Sequence, residues 1–229
     1  MKVRFFLPVA LALVLLVAAC VPPLNLRNDK FLQDDSLLTN DPCEAPCWRG
    51  ITPGVTEWSE ALTILEDATD INDPQVQTGD DGVLVGAQWQ PLEGDACCQM
   101  ISEKGEIVDL IVIWQKPDKT VGELIEVRGE PTYVIGTPGD ETQAIVSLFY
   151  PDSALIVIAF VAGANGELNE SSEIVGAYYL TPERMQLILD TSSLFAWDGY
   201  QPFSSYNAEA EDAEFAITPS VTLTPTATQ

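Results

Sequence analysis

Two stretches of apolar, β-branched sequence that double back on themselves constrain this chain most. In the first, Cys98, Gln99 and Met100 run through the turn Glu103-Lys104-Gly105-Glu106 into Ile107-Val108-Asp109-Leu110-Ile111-Val112-Ile113-Trp114. In the second, residues 144–150 (AIVSLFY) and 154–162 (ALIVIAFVA) flank Pro151-Asp152. Valine and isoleucine suit a pleated, half-buried backbone, and Gly, Pro and Asp supply the turns between such runs. Each stretch therefore predicts an antiparallel hairpin. Residues 133–135 and 173–180, and the alternation of Val83, Val85, Ala87 and Trp89, predict further strands. With 46% hydrophobic residues, the middle of the chain can bury a sizeable core.

Helical periodicity precedes each group of strands. Trp58, Ala61, Leu62, Leu65 and Ala68 fall on one face of a 3.6-residue period behind Thr56, a residue type that caps helices well. Thr120 opens a shorter helix through Val121, Leu124, Ile125 and Arg128, closed by Gly129 and Pro131. Thr181-Pro182-Glu183 caps a third, through Met185, Leu187, Ile188 and Leu189. The pattern predicts an α+β fold: two tandem helix-then-antiparallel-strands repeats, residues 43–118 and 119–192, forming a helix-on-sheet sandwich with its helices on one face.

The ends read differently. Lys2 and Arg4 precede an unbroken apolar run over residues 5–19, which stops at Cys20 and Val21-Pro22-Pro23, short of the roughly 20 residues a membrane span needs. Val17-Ala18-Ala19-Cys20 resembles the lipobox of bacterial lipoproteins. That resemblance implies a signal peptide over residues 1–19, a diacylglycerol on the Cys20 sulfur and acylation of its freed amine. It places the protein on the exported side of a cell membrane or envelope, held by lipid. Loss of Lys2 and Arg4 takes the formal charge of −25 two units lower still. Such a charge repels nucleic acid and anionic headgroups, so attachment rests on the acyl chains, at about 0.8 kcal/mol per buried methylene. Residues 20–42 read as the lipidated cysteine and a tether spanning roughly 25 Å as a flexible coil, with packing of residues 31–38 on the domain as the alternative. Residues 193–206 form an aromatic arm (Phe195, Trp197, Tyr200, Phe203, Tyr206) that either covers the core or presents a recognition segment. Residues 207–229, acidic and then Thr/Pro-rich, read as a solvated, disordered tail.

Gly50-Ile51-Thr52-Pro53-Gly54-Val55-Thr56, followed by the helix over residues 57–66, resembles the opening of the small outer-membrane-assembly lipoproteins and of the related β-lactamase-inhibitor-protein-like fold. Thr120, its helix and Gly129-Glu130-Pro131 repeat that opening, while Asp70-Ile71-Asn72-Asp73-Pro74 stands where the first copy would have Gly-x-Pro. The resemblance implies a non-catalytic, lipid-anchored scaffold whose sheet or helix face meets another protein.

Export puts Cys43, Cys47, Cys97 and Cys98 in an oxidising setting. Consecutive strand residues point to opposite faces, so the favoured pairing joins the Cys43/Cys47 loop to the Cys97-Cys98 strand by two bonds. Each would close a loop of about 50 residues and contribute roughly 3 to 4 kcal/mol. A zinc site, a redox pair and a Cys97–Cys98 bond acting as a ligand platform or switch are the other readings.

Function is bounded by an absence: the chain has no histidine. That removes Ser-His-Asp triads, Cys-His dyads and histidine-based metal hydrolysis, and no nucleophile elbow, P-loop or dinucleotide fingerprint is present. No enzyme, cofactor or resident metal is expected. Asp67, Asp70, Asn72 and Asp73, or Asp80-Asp81-Gly82, could gather oxygens around calcium, although neither has the EF-hand register and a solvated acidic loop is the plainer reading. The sequence thus points to a lipid-anchored interaction or scaffold module with an envelope protein as partner. The alternative is a surface lipoprotein that captures a small ligand, a peptide or a divalent cation.

Overall fold

The computed structural model describes residues 25–79, 82–140 and 142–207. Nine strands form one antiparallel sheet: β1 (Gln75–Thr78), β2 (Val85–Trp89), β3 (Cys98–Ser102), β4 (Leu110–Trp114), β5 (Tyr133–Pro138), β6 (Ala144–Tyr150), β7 (Leu155–Val161), β8 (Ile174–Leu180) and β9 (Phe195–Ala196). Their spatial order is β1-β2-β3-β4-β8-β7-β6-β5-β9. Among the described residues four short helices accompany it: α1 (Ser36–Thr39), α2 (Trp58–Glu66), α3 (Val121–Arg128) and α4 (Pro182–Thr191).

This β-rich architecture replaces the expected α+β sandwich of two helix-then-strand repeats. β4 and β8 pair from Leu110↔Leu180 to Trp114↔Gly176, so a continuous hydrogen-bonded ladder crosses the boundary expected at residues 118–119. The described helices span only four to ten residues and are not confined to one face. Sequence periodicity located most strands and the three longer helices but could not show that the last strand of each half would pair with the other. Two strands were missed. β1 is exposed along its whole length, so it has no buried face to print an alternating pattern, and β9 has two residues.

Local signals act as expected at two helices. Thr120 and Glu123 form a capping box on α3, and Thr181 Oγ1 accepts the Arg184 N–H of α4 at 3.1 Å. Thr56 does something else: its hydroxyl accepts the Thr52 N–H at 2.8 Å and braces the preceding turn, leaving Glu57 as the N-cap of α2.

One face of the sheet carries the larger core. Met100, Ile111, Ile113, Val134, Leu148, Leu155 and Val157 pack beneath Leu37 of α1, Ala61 and Leu65 of α2, and Val121 and Leu124 of α3. Phe203 and Tyr206 of the aromatic arm join the same cluster, so the arm covers the protein's own core. A Cβ on Gly136 would stand 2.7 Å from the Phe203 ring, which is why β5 has glycine where the arm crosses it.

The segment read as a tether is packed from Phe31 onward: Phe31, Leu32 and Leu37 are buried. Two ion clusters hold it. The buried Asp34 carboxylate accepts the Ser36 N–H at 2.8 Å, the Trp48 Nε1–H at 3.0 Å and the Arg49 Nε–H at 3.4 Å. Asp35 and Asp118 flank the buried Lys119 ammonium at 2.9 and 2.7 Å. Burying an ammonium is tolerable only with such partners.

Sulfur does not join the loop to the sheet. Cys43 bonds Cys47 and Cys97 bonds its neighbour Cys98, against the expected cross-pairing. The link between these regions is aromatic instead: Trp48, beside the first disulfide, stacks on Trp89 with centroids 5.7 Å apart, and Trp89 is the β2 partner of Cys98. Loops this short constrain the unfolded chain less, so the first bond contributes about 2 kcal/mol in the chain-entropy model rather than 3 to 4.

Candidate interaction surface

None of the nine strands contains Asp, Glu, Lys or Arg, in a chain with 45 such residues split as 10 basic and 35 acidic. An antiparallel sheet with one wet face ordinarily alternates apolar and polar residues. Here both faces are apolar, as LIVIW, LIVIAFV and IVGAYYL of β4, β7 and β8 already spell out. The second face therefore calls for a cover, and its centre is buried: Val112, Phe149, Ile156 and Ile158 are 1–4% exposed.

Register fixes which side chains lie there. One cross-strand row runs Gln75, Gln88, Gln99, Val112, Tyr178, Ile156, Phe149 and Tyr133. The next runs Trp114, Gly176, Ile158, Ser147 and Ile135. The second core cluster joins these strands to Met185 and Ile188 of α4, with Leu189 and Leu194 packed against it. Trp114, Tyr133, Ile135, Ile145 and Phe160 remain only half-buried.

At the centre of this face is an aromatic platform. A Cβ on Gly176 would meet Trp114 Cε3 at 3.0 Å, so the indole lies across the glycine, and the Tyr178 ring meets it edge-on at 6.2 Å and 90°. Burial pushes the Tyr178 hydroxyl up to about 12, so it stays a neutral group throughout the physiological range. Toward β1 the surface turns to carboxamides. Gln75, Gln77, Gln88 and Gln99, with Gly86 and Ile101, line a shallow groove. Aromatic rings and uncharged amides give this face apolar contact area and neutral hydrogen-bonding groups.

The sequence-selected sites fall elsewhere. Cys20, Asp80 and Asp81 lie outside the described residues, as does the tail from residue 208 onward. Asp70 does not face an open cation site, because Arg49 grips both its oxygens at 2.8 and 2.7 Å and that hydrogen bonding holds the carboxyl below its ordinary range. Among the described residues no three His, Cys, Asp or Glu side chains are placed to hold a metal ion. Cys97 and Cys98 are 3% and 0% exposed, which removes them as a ligand platform, and Cys43 and Cys47 are engaged with each other. The arm is fastened by the Gly136 N–H donating to Tyr206 O at 2.6 Å and the Phe203 N–H donating to Gly166 O at 2.9 Å.

Trp114, Tyr178, Ile135 and Phe160 went unselected because single strands do not announce their faces. The uninterrupted apolar runs were the available signal, since a strand without alternation is buried on both sides or needs to be.

The chain has no match among protein-family models, curated proteins or solved structures.

Proposed function

We propose that this chain is a non-catalytic interaction module of the cell envelope, anchored on the exported side through acylated Cys20, whose second sheet face docks an envelope protein. The observation that carries this reading is the uncharged second face, with Trp114, Ile135, Ile145 and Phe160 half-buried. These half-buried side chains are the apolar area left for contact beside the buried Val112, Phe149, Ile156 and Ile158. The −25 formal charge favours a partner with basic residues around its apolar contact, since complementary charge steers association. The leader and Val17-Ala18-Ala19-Cys20 support the anchor.

Two variants separate the halves of the proposal. Cys20→Ser is expected to leave the membrane fraction, and a Cys20→Ser protein that stays membrane-bound would sink the anchor. Trp114→Ser with Phe160→Ser is expected to abolish crosslinking to the partner in cells while the protein still accumulates. A second reading has its own observation: the carboxamide groove beside β1, whose four residues are all exposed, offers an edge along which an extended peptide could add as a strand.

A further inference from the structure

The first described residues are strapped down. The Leu26 N–H donates to Gln143 Oε1 at 3.0 Å, Arg27 pairs with Glu173, and its guanidinium lies 5.3 Å over the Phe160 ring. The strap continues: Asn28 Nδ2 donates to Asp95 at 2.8 Å, the Asp95 N–H to Lys30 O at 3.1 Å, and the Lys116 N–H to Leu32 O at 2.9 Å. Gln143 precedes β6, Phe160 is next to last in β7, Glu173 precedes β8, Lys116 follows β4, and Asp95 lies between β2 and β3. In this antiparallel order all five positions belong to one end of the sheet. Residues 25–32 thus run along a single rim, and the opposite rim carries the β3–β4 turn, Pro151–Ser153 and Thr181.

We infer that the strapped rim faces the bilayer, so that the sheet stands with its strands along the membrane normal and its second face turned sideways. This rests on the reading of Cys20 as the lipid anchor. Six peptide units separate Cys20 from Leu26, a reach of at most about 20 Å. The seven-residue strands β6 and β7 put the far rim roughly 24 Å beyond the near one. A leash shorter than the body it holds, and attached at one rim, keeps that rim closest to the lipid. The partner's contact surface must then lie within about 45 Å of the bilayer, the leash and the strand length together. Arg27 is a positioning residue in this arrangement: freeing it moves the leash's attachment further along the strap.

The full acylated chain in phosphatidylcholine vesicles, with a fraction of lipids carrying a headgroup nitroxide, tests this. A fluorophore on Asn165→Cys, in the exposed β7–β8 turn of the strapped rim, is compared with one on Asp152→Cys at the opposite rim. Flotation with the vesicles is read first; a chain that does not float overturns the anchor and the orientation together. Among floating protein, quenching at Asn165 is expected to exceed that at Asp152 by about threefold, given labels roughly 24 Å apart along the strands. A Gly/Ser spacer of roughly a dozen residues after Leu24 should keep flotation and erase the difference. Equal quenching without the spacer, or stronger quenching at Asp152, overturns the orientation and leaves the anchor standing.

Discussion

On one face of the sheet, α1, α2, α3, Trp48 and the aromatic arm close over the strands; on the other, α4 covers part of an equally apolar surface and Trp114, Ile135, Ile145 and Phe160 are left half-buried. The strands themselves are alike, uncharged and rich in β-branched residues on both sides. What differs is the cover. A chain so acidic had ample charge to place on a wet sheet face, and its nine described strands carry none on either face.

Substitutions on the two faces should therefore behave differently. Trp48→Ala removes a fully buried indole, its stacking on Trp89 and the donor held by Asp34, and is expected to cost about 3 to 5 kcal/mol in denaturant unfolding. Reducing the Cys43–Cys47 bond, or replacing it by Cys43→Ser with Cys47→Ser, should cost about 2 kcal/mol. Gly136→Ala drives a methyl group toward the Phe203 ring and should cost about 1 to 3 kcal/mol, loosening the arm from the covered face; fluorescence of Trp197 reports that. By contrast, Ile135→Ser at the half-buried margin of the second face should cost about 1 kcal/mol or less, because its side chain is already in partial contact with water. A loss at Ile135 as large as at Trp48 would mean that the second face is part of the closed core.

Titration adds a smaller distinction. Burial raises the Tyr178 hydroxyl to about 12 from 10, and also raises those of Tyr150 and Tyr179. The fold thus favours the neutral phenol: this contribution is complete below pH 10 and is lost as pH climbs from 10 through 12. Asp70 has the opposite sign. Hydrogen bonding to Arg49 lowers its carboxyl, so its contribution is present above about pH 4 and declines as pH falls further. Melting temperatures across both limbs should fall at each extreme, with Tyr178→Phe reducing the alkaline loss.

Much of the strand content could be read from residues 98–114 and 144–180, because β-branched runs and Pro or Gly turns are local signals. The continuity of the sheet could not, since the β4–β8 ladder joins Trp114 to Gly176 across 61 intervening residues. The cysteines misled for a related reason. Opposite-facing neighbours suggested long-range bonds, yet Trp48 and Trp89 had taken that role and each thiol paired locally. The tether was misread beyond Phe31 because what fixes it is tertiary: Asp34 to Trp48 and Arg49, and Asp35 to Lys119. The second face was legible in the uninterrupted apolar runs and the lack of charge in every described strand.

One measurement addresses the comparison of faces directly. A photoreactive phenylalanine analogue is placed at Ile135 on the second face or at Val127, which is 48% exposed on α3 above the covered face. Irradiation of intact cells is expected to give a discrete crosslinked partner from position 135 and none from position 127. A partner captured from 127 and absent from 135 would contradict the second face as the docking surface.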